Sequence, residues 1–163
     1  MSELSPDSNF LIAHVLDPVY QDEFRSWPRH ITLMPWFDTA YPDSLTTILQ
    51  NLAHTTRQIE VQIGEWDMFG PDHDVPVQRV EPNRALNHLH SNLLGVVQEH
   101  GSIHSVKFTG SNYKPHITRQ SMQTYEKGDL LIIDDFCLIE SSRGRKDREH
   151  KLKTIVGRFA LQS

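Results

Sequence analysis

The tripeptide His-Ile-Thr occurs twice in this chain, in Arg29-His30-Ile31-Thr32-Leu33 and again in Pro115-His116-Ile117-Thr118-Arg119. Both copies lie in short apolar-rich runs of the kind that form strands, where residues i and i+2 share a face. Each copy therefore sets an imidazole beside a hydroxyl, while Ile31, Leu33 and Ile117 point the other way and anchor the strand in a core. With ten histidines in the chain, about half of one bare His-x-Thr match is expected by accident. A third does occur, at His54-Thr55-Thr56, but it falls in a helical pattern where i and i+2 diverge around the axis. Two matches to the fuller His-Ile-Thr arise by accident on the order of once in a thousand such compositions. The duplication is the signal. It calls for a fold in which two halves bring one strand each to a shared, two-sided site.

The rest of the chain supplies the elements for such a fold. Phe10 to Leu16 is an apolar run typical of a strand buried on both faces, ended by Asp17-Pro18. The first His-Ile-Thr strand is expected to close at Pro35, which has no N–H for a ladder. Pro42-Asp43-Ser44 starts an amphipathic helix with Leu45, Ile48, Leu49, Leu52 and Ala53 on one face. Ile59, Val61 and Ile63 alternate with polar residues, and the strand they imply continues to Phe69. The cluster Gly70-Pro71-Asp72-His73-Asp74 turns it into a hairpin with Val75 to Val80. Asn83 is placed to cap a second helix striped by Leu86, Leu89, Leu93, Leu94 and Val97, with Gly101 just past its end. A short strand is expected at Val106 to Thr109, then the second motif strand, then strands at Leu130 to Ile133, Phe136 to Ile139 and Thr154 to Leu161. Strands outnumber helices and the hairpins imply antiparallel pairing, so the class is α+β. The length of 163 residues fits a single domain, 1–163, made of two lobes.

Composition narrows the partners. A net charge of −5 argues against gripping nucleic acid through overall positive charge, so DNA is not an expected partner and any RNA contact is short and local. Cys137 is the only cysteine, which excludes an internal disulfide framework and fits a reducing compartment. The first residues are polar and acidic, and no run is apolar and long enough to span a membrane. The expectation is a soluble, cytoplasmic monomer with no membrane partner.

Two facing imidazoles suit a reaction that needs a base and an acid together, since one ring accepts a proton and the other donates one near neutral pH. Displacement at a phosphodiester is such a reaction. The threonine hydroxyls beside the rings are placed to hydrogen-bond non-bridging phosphate oxygens, and neither a metal nor another cofactor is required.

Paired His-x-Thr strands in a chain of this size resemble the two-histidine (2H) phosphoesterase superfamily, which includes RNA 2',3'-cyclic phosphodiesterases and the 2'-5' RNA ligases. The resemblance extends over the first motif, the helix after it, the Trp66 to Phe69 region before the hairpin, the second helix and Tyr113-Lys114-Pro115-His116. It implies a bilobal, pseudo-twofold fold with two antiparallel sheets lining a central groove and helices outside. It also implies His30 as general acid, His116 as general base, and Thr32 and Thr118 as phosphate anchors, with the acid and base labels depending on substrate orientation. The activity expected is hydrolysis of a 2',3'-cyclic phosphate to a 2'-phosphate on a nucleotide or RNA. The alternatives are cleavage of 2'-5' or cyclic oligonucleotides, 2'-5' ligation, or an RNA-end or nucleotide binding module without turnover.

Several residues have two readings. Arg119 stands where the family is often apolar, and is either an exposed strand end or a cation near the phosphate. Trp36, Phe37 and Tyr113 are near the motifs and are candidates to stack on a nucleobase, or else core residues. Arg143, Arg145, Lys146, Arg148, Lys151 and Lys153 form a basic run that reads as a solvated hairpin loop or a phosphate-contacting flap. His100 with His104 and His88 with His90 do not have the geometry of a metal pair, because Gly101 interrupts the first and the second splays around a helix. His14 alternates with apolar residues and reads as a core or groove-edge residue.

Overall fold

The continuous apolar run at the N-terminus becomes the strand with the most buried surroundings. Strand β1 (Ser8–Val15) alternates Phe10 and Ile12 into one core with Leu11 and Ala13 into another. The computed structural model describes residues 8–142 and 151–163, Ser142 by its backbone alone, so the first seven residues and Arg143, Arg145, Lys146 and Arg148 of the basic run lie outside the described residues. With β2 (Glu23–Phe24), β3 (His30–Asp38), β6 (Ser102–Ile103), β9 (Asp135–Ser142) and β10 (Lys153–Ala160), β1 forms a six-stranded sheet in the order β2-β10-β9-β1-β3-β6. A second sheet, in the order β7-β5-β4-β8, contains β4 (Ile59–Phe69), β5 (Val75–Val80), β7 (His116–Thr118) and β8 (Leu130–Ile133). The pairings within both sheets are antiparallel, and the fold is α+β. One motif strand lies in each sheet, although the sheets differ in strand number.

Both helices form where the apolar periodicity puts them. Helix α1 (Pro42–His54) has Pro42 in its first turn, where the missing N–H costs nothing. Helix α2 (Arg84–His100) starts at Asn83, whose side-chain oxygen accepts the Leu86 N–H at 2.9 Å. Leu45, Leu49 and Ala53 of α1 and Leu86, Leu89, Leu93 and Val97 of α2 enter the same core as Phe10, Ile12, Ile31, Leu33 and Ile117. That common core ties the sheets together. No helix among the described residues is long and apolar enough to cross a membrane.

Three local expectations need correction. Pro35 does not end the first motif strand, because β3 runs on to Asp38. The register against β1 slips between Phe10↔Phe37 and Ile12↔Met34, and Pro35 sits in the resulting bulge, where no ladder N–H is demanded of it. Val106 to Thr109 is not a strand: Phe108 has φ 62°, and both the amide and the hydroxyl of Thr109 donate to the Val106 carbonyl, at 3.2 and 2.7 Å. The segment is a turn, and the short strand lies earlier, at Ser102–Ile103. Phe37 is fully buried in the main core and is no base platform.

Gly101 ends α2 in an extended conformation (φ −167°, ψ −158°), so it is not needed there for a left-handed cap. Its role is room, since a Cβ at this position would overlap the carbonyl oxygen of Asp38 in β3. Gly101→Ala is expected to lower unfolding free energy by about 1 to 3 kcal/mol, the usual cost of overpacking. Urea unfolding of the two proteins measures this, and equal midpoints would refute the close approach.

Candidate active site

The ladder registers decide which way the motif side chains face. In the large sheet His30 pairs with Val15 and Thr32 with Ala13, so imidazole and hydroxyl project from the face that carries Leu11, Ala13 and Ile139. Residues opposite one another in an antiparallel pair share a face. In the small sheet His116 pairs with Arg79 and Thr118 with Val77, while Ile117 goes to the main core. Strands β3 and β7 are in contact, and each strand brings one His and one Thr to the junction. Neither threonine hydroxyl is engaged by another described residue.

The two rings are held the same way. His30 Nδ1 lies 2.8 Å from the Pro28 carbonyl and His116 Nδ1 lies 2.6 Å from the Lys114 carbonyl, in each case the residue two places earlier. A carbonyl oxygen only accepts, so Nδ1 carries the proton in both rings and the lone pair of Nε2 stays outside these bonds. Aromatic rings flank both. Trp27 packs 4.5 Å from His30 at 30°, and Phe69 meets His116 edge-on at 4.7 Å, with Phe108 stacked behind Phe69 at 5.6 Å.

Burial is the largest cause that lowers the pKa of His30, and the facing His116 lowers it further, against the Pro28 hydrogen bond. Burial likewise lowers His116, with the Arg79 charge adding to it against the Lys114 hydrogen bond. Each ring therefore resists protonation in the free protein. The two imidazoles are close enough for a charge on His116 to be felt at His30.

A buried histidine that sequence reasoning set aside joins these pieces. His90 of α2 is 1% exposed. Its Nδ1 donates to the Leu33 carbonyl at 2.7 Å, and its Nε2 accepts the Gly110 N–H at 2.9 Å. Its ring stacks on Tyr113 at 4.0 Å with 7° between planes, and the Tyr113 hydroxyl donates to the Thr32 carbonyl at 2.8 Å. This brace runs from β3 through α2 to the loop that leads into β7. Burial lowers the His90 pKa, in keeping with a neutral ring that donates from one nitrogen and accepts at the other.

The other expected site residues fall as follows. Tyr113 has one face and its hydroxyl occupied by this brace. Trp36 lies on the groove side of β3, in edge contact with Trp27 at 6.1 Å. Arg119 is an exposed strand end, its Nη2 3.1 Å from Met122 Sδ. His14 faces the same way as Ile31, away from His30, and its Nδ1 bonds Asp135 Oδ1 at 2.9 Å. His14, Asp134 and Asp135 have donor atoms within 4.8 Å of one another, the one such potential metal-ligand group among the described residues, and it lies outside the groove.

A family model described as the 2'-5' RNA ligase superfamily matches residues 8–129. No curated protein sequence matches the chain. Among solved structures, one described as a phosphoesterase superposes with a TM-score of 0.64 at 16% identity, covering 96% of this chain and 99% of that one. Escherichia coli LigT in complex with 3'-AMP gives 0.61 at 16% identity over 96% of this chain and 99% of its own. The same protein with NADP+ gives 0.63 at 16%, covering 98% and 100%.

The three lowered histidines have a consequence for stability. Below the unfolded histidine value of about 6.5, the unfolded chain takes up protons that the folded chain refuses. Unfolding free energy should therefore be flat between about pH 7 and 8 and fall on acidification, each of His30, His90 and His116 adding up to about 1.4 kcal/mol per pH unit. Urea titrations across this range test it; a stability that rises toward acid would contradict the buried neutral rings.

Proposed function

The chain belongs to the 2'-5' RNA ligase superfamily, and from that premise we propose that it is a metal-independent phosphodiesterase of nucleotides or RNA that opens a 2',3'-cyclic phosphate to a 2'-phosphate. The observation that supports this most directly is the matched pair of imidazoles, each with Nδ1 tied to a carbonyl and Nε2 free, one from each sheet. An acid and a base on opposite sides of one phosphorus atom is what in-line displacement requires.

The protonation states follow from the surroundings. Both rings are neutral in the free protein, and an anionic phosphate between them favours a proton on one. Arg79 opposes that proton on His116, whereas the charge acting on His30 is that of His116 itself. His30 thus takes the proton and serves as acid, and His116 remains the base. His116 Nε2 removes a proton from water, and the water oxygen attacks phosphorus as the bond to the 3' oxygen breaks. His30 Nε2 then gives its proton to that 3' oxygen. Thr32 and Thr118 donate to the non-bridging oxygens, where charge grows as the displacement proceeds. With the 5' hydroxyl of a second ribose attacking in place of water, the same ring opening would instead form a 2'-5' linkage, and its reverse would cleave one. The complexes of Escherichia coli LigT with 3'-AMP and NADP+ favour a nucleotide in this groove.

Turnover is expected on 2',3'-cyclic nucleotides or RNA ending in a cyclic phosphate, unaffected by EDTA. Either His30→Ala or His116→Ala should cost a hundredfold to roughly ten-thousandfold in kcat. Thr32→Val and Thr118→Val should each cost about tenfold or more, through the lost hydrogen bond. The assay panel includes 2'-5' oligoadenylate and cyclic oligonucleotides. Activity that survives both histidine changes would remove the assignment, and nucleotide binding without any turnover would favour a binding module.

A further inference from the structure

The geometry points to Arg79 as the cation that receives the phosphoryl group beside His116, an assignment that rests on the phosphodiesterase reading and gives its groove a positive charge. Arg79 stands directly opposite His116 in the β5–β7 ladder, so both side chains leave the same face of the small sheet. Its guanidinium lies over the Phe69 ring, 5.6 Å from the centroid, and that ring also meets the edge of His116. Phe69 thus holds the cation and the imidazole in a fixed relation. The charge is felt at the imidazole, since Arg79 makes His116 harder to protonate.

The hydrogen bonding of Arg79 is incomplete in a telling way. Its Nη1 reaches Asp67 Oδ2 at 3.3 Å, a pair in which the two side chains are 35% and 46% exposed. Its Nε is the one buried side-chain nitrogen or oxygen without a partner among the described residues. A buried donor left unpaired normally costs stability and is kept where something else satisfies it. The edge that carries Nε is also the edge a guanidinium uses for two parallel bonds to a phosphate. Arg119, the basic residue next to the motif in sequence, points to Met122 and leaves this position to Arg79. In the reaction the two threonines offer neutral donors only, and negative charge accumulates on the non-bridging oxygens. Arg79 supplies the opposite charge at that point, and Asp67 is a partner it can release.

The test separates this role from the reading it rests on. Inorganic phosphate is titrated into wild type, Arg79→Gln, Arg79→Lys and Asp67→Asn, with binding and the His116 ring titration followed by NMR. These measurements need no turnover, whereas the two-histidine mechanism stands or falls on His30→Ala and His116→Ala activity. Arg79→Gln should weaken phosphate binding about tenfold or more, let His116 protonate at higher pH, and reduce kcat on any substrate found by about a hundredfold. Arg79→Lys should recover part of the binding as a point charge, and Asp67→Asn should tighten it. If Arg79→Gln fails to fold, the lysine and Asp67 variants carry the comparison. Phosphate affinity within twofold of wild type in both Arg79 variants would overturn the assignment, as would a wild type that does not bind phosphate at this face.

Discussion

Two strands from different sheets can meet at a polar junction only if the backbone groups there are satisfied, and buried His90 meets that condition. Its ring accepts one amide, donates to one carbonyl and stacks on the tyrosine that bonds a second carbonyl of the first motif strand. Each partner would be costly to leave unpaired in a low-dielectric interior. The brace joins β3, α2 and the loop into β7, so the relative position of the two His-Thr pairs depends on one neutral side chain. A protonated His90 would turn a donor toward the Gly110 amide, and the brace would lose one of its ends.

The same economy governs the two motif imidazoles. Their nearest neighbours are aromatic and their Nδ1 atoms are committed to carbonyls of their own strand starts, so each imidazole has little freedom to turn. Such an environment disfavours a proton on either ring. Under the proposed mechanism, competence is then a property of the complex with substrate, because the phosphate charge itself stabilises the imidazolium that the reaction needs.

Much of this was legible in the sequence, and the boundary has a physical basis. Side-chain period reports which face a residue takes, so the motif strands, both helical stripes and the Asn83 cap followed from local pattern. Pairing partners are set by tertiary structure. Arg79 carries no motif of its own, and only the β5–β7 register puts it across from His116. His90 looked like one half of a splayed helical pair, and its partners lie far away in sequence, at Leu33 and Gly110. Pro35 misled because a missing N–H ends a regular ladder but not a bulged one. Val106 to Thr109 had the composition of a strand, yet the left-handed Phe108 reverses the chain there and brings its ring against Phe69.

The neighbours of β1 carry one more consequence. Strand β1 pairs with β9, Ala13 opposite Cys137 and Phe10 opposite Glu140, and β9 in turn pairs with the still later β10. A growing chain cannot enclose β1 until β9 has been synthesised. Until then the apolar β1 has an open edge, and its closure belongs among the slow, long-range steps of high contact order. Timing during synthesis is thus written into the strand order of the large sheet.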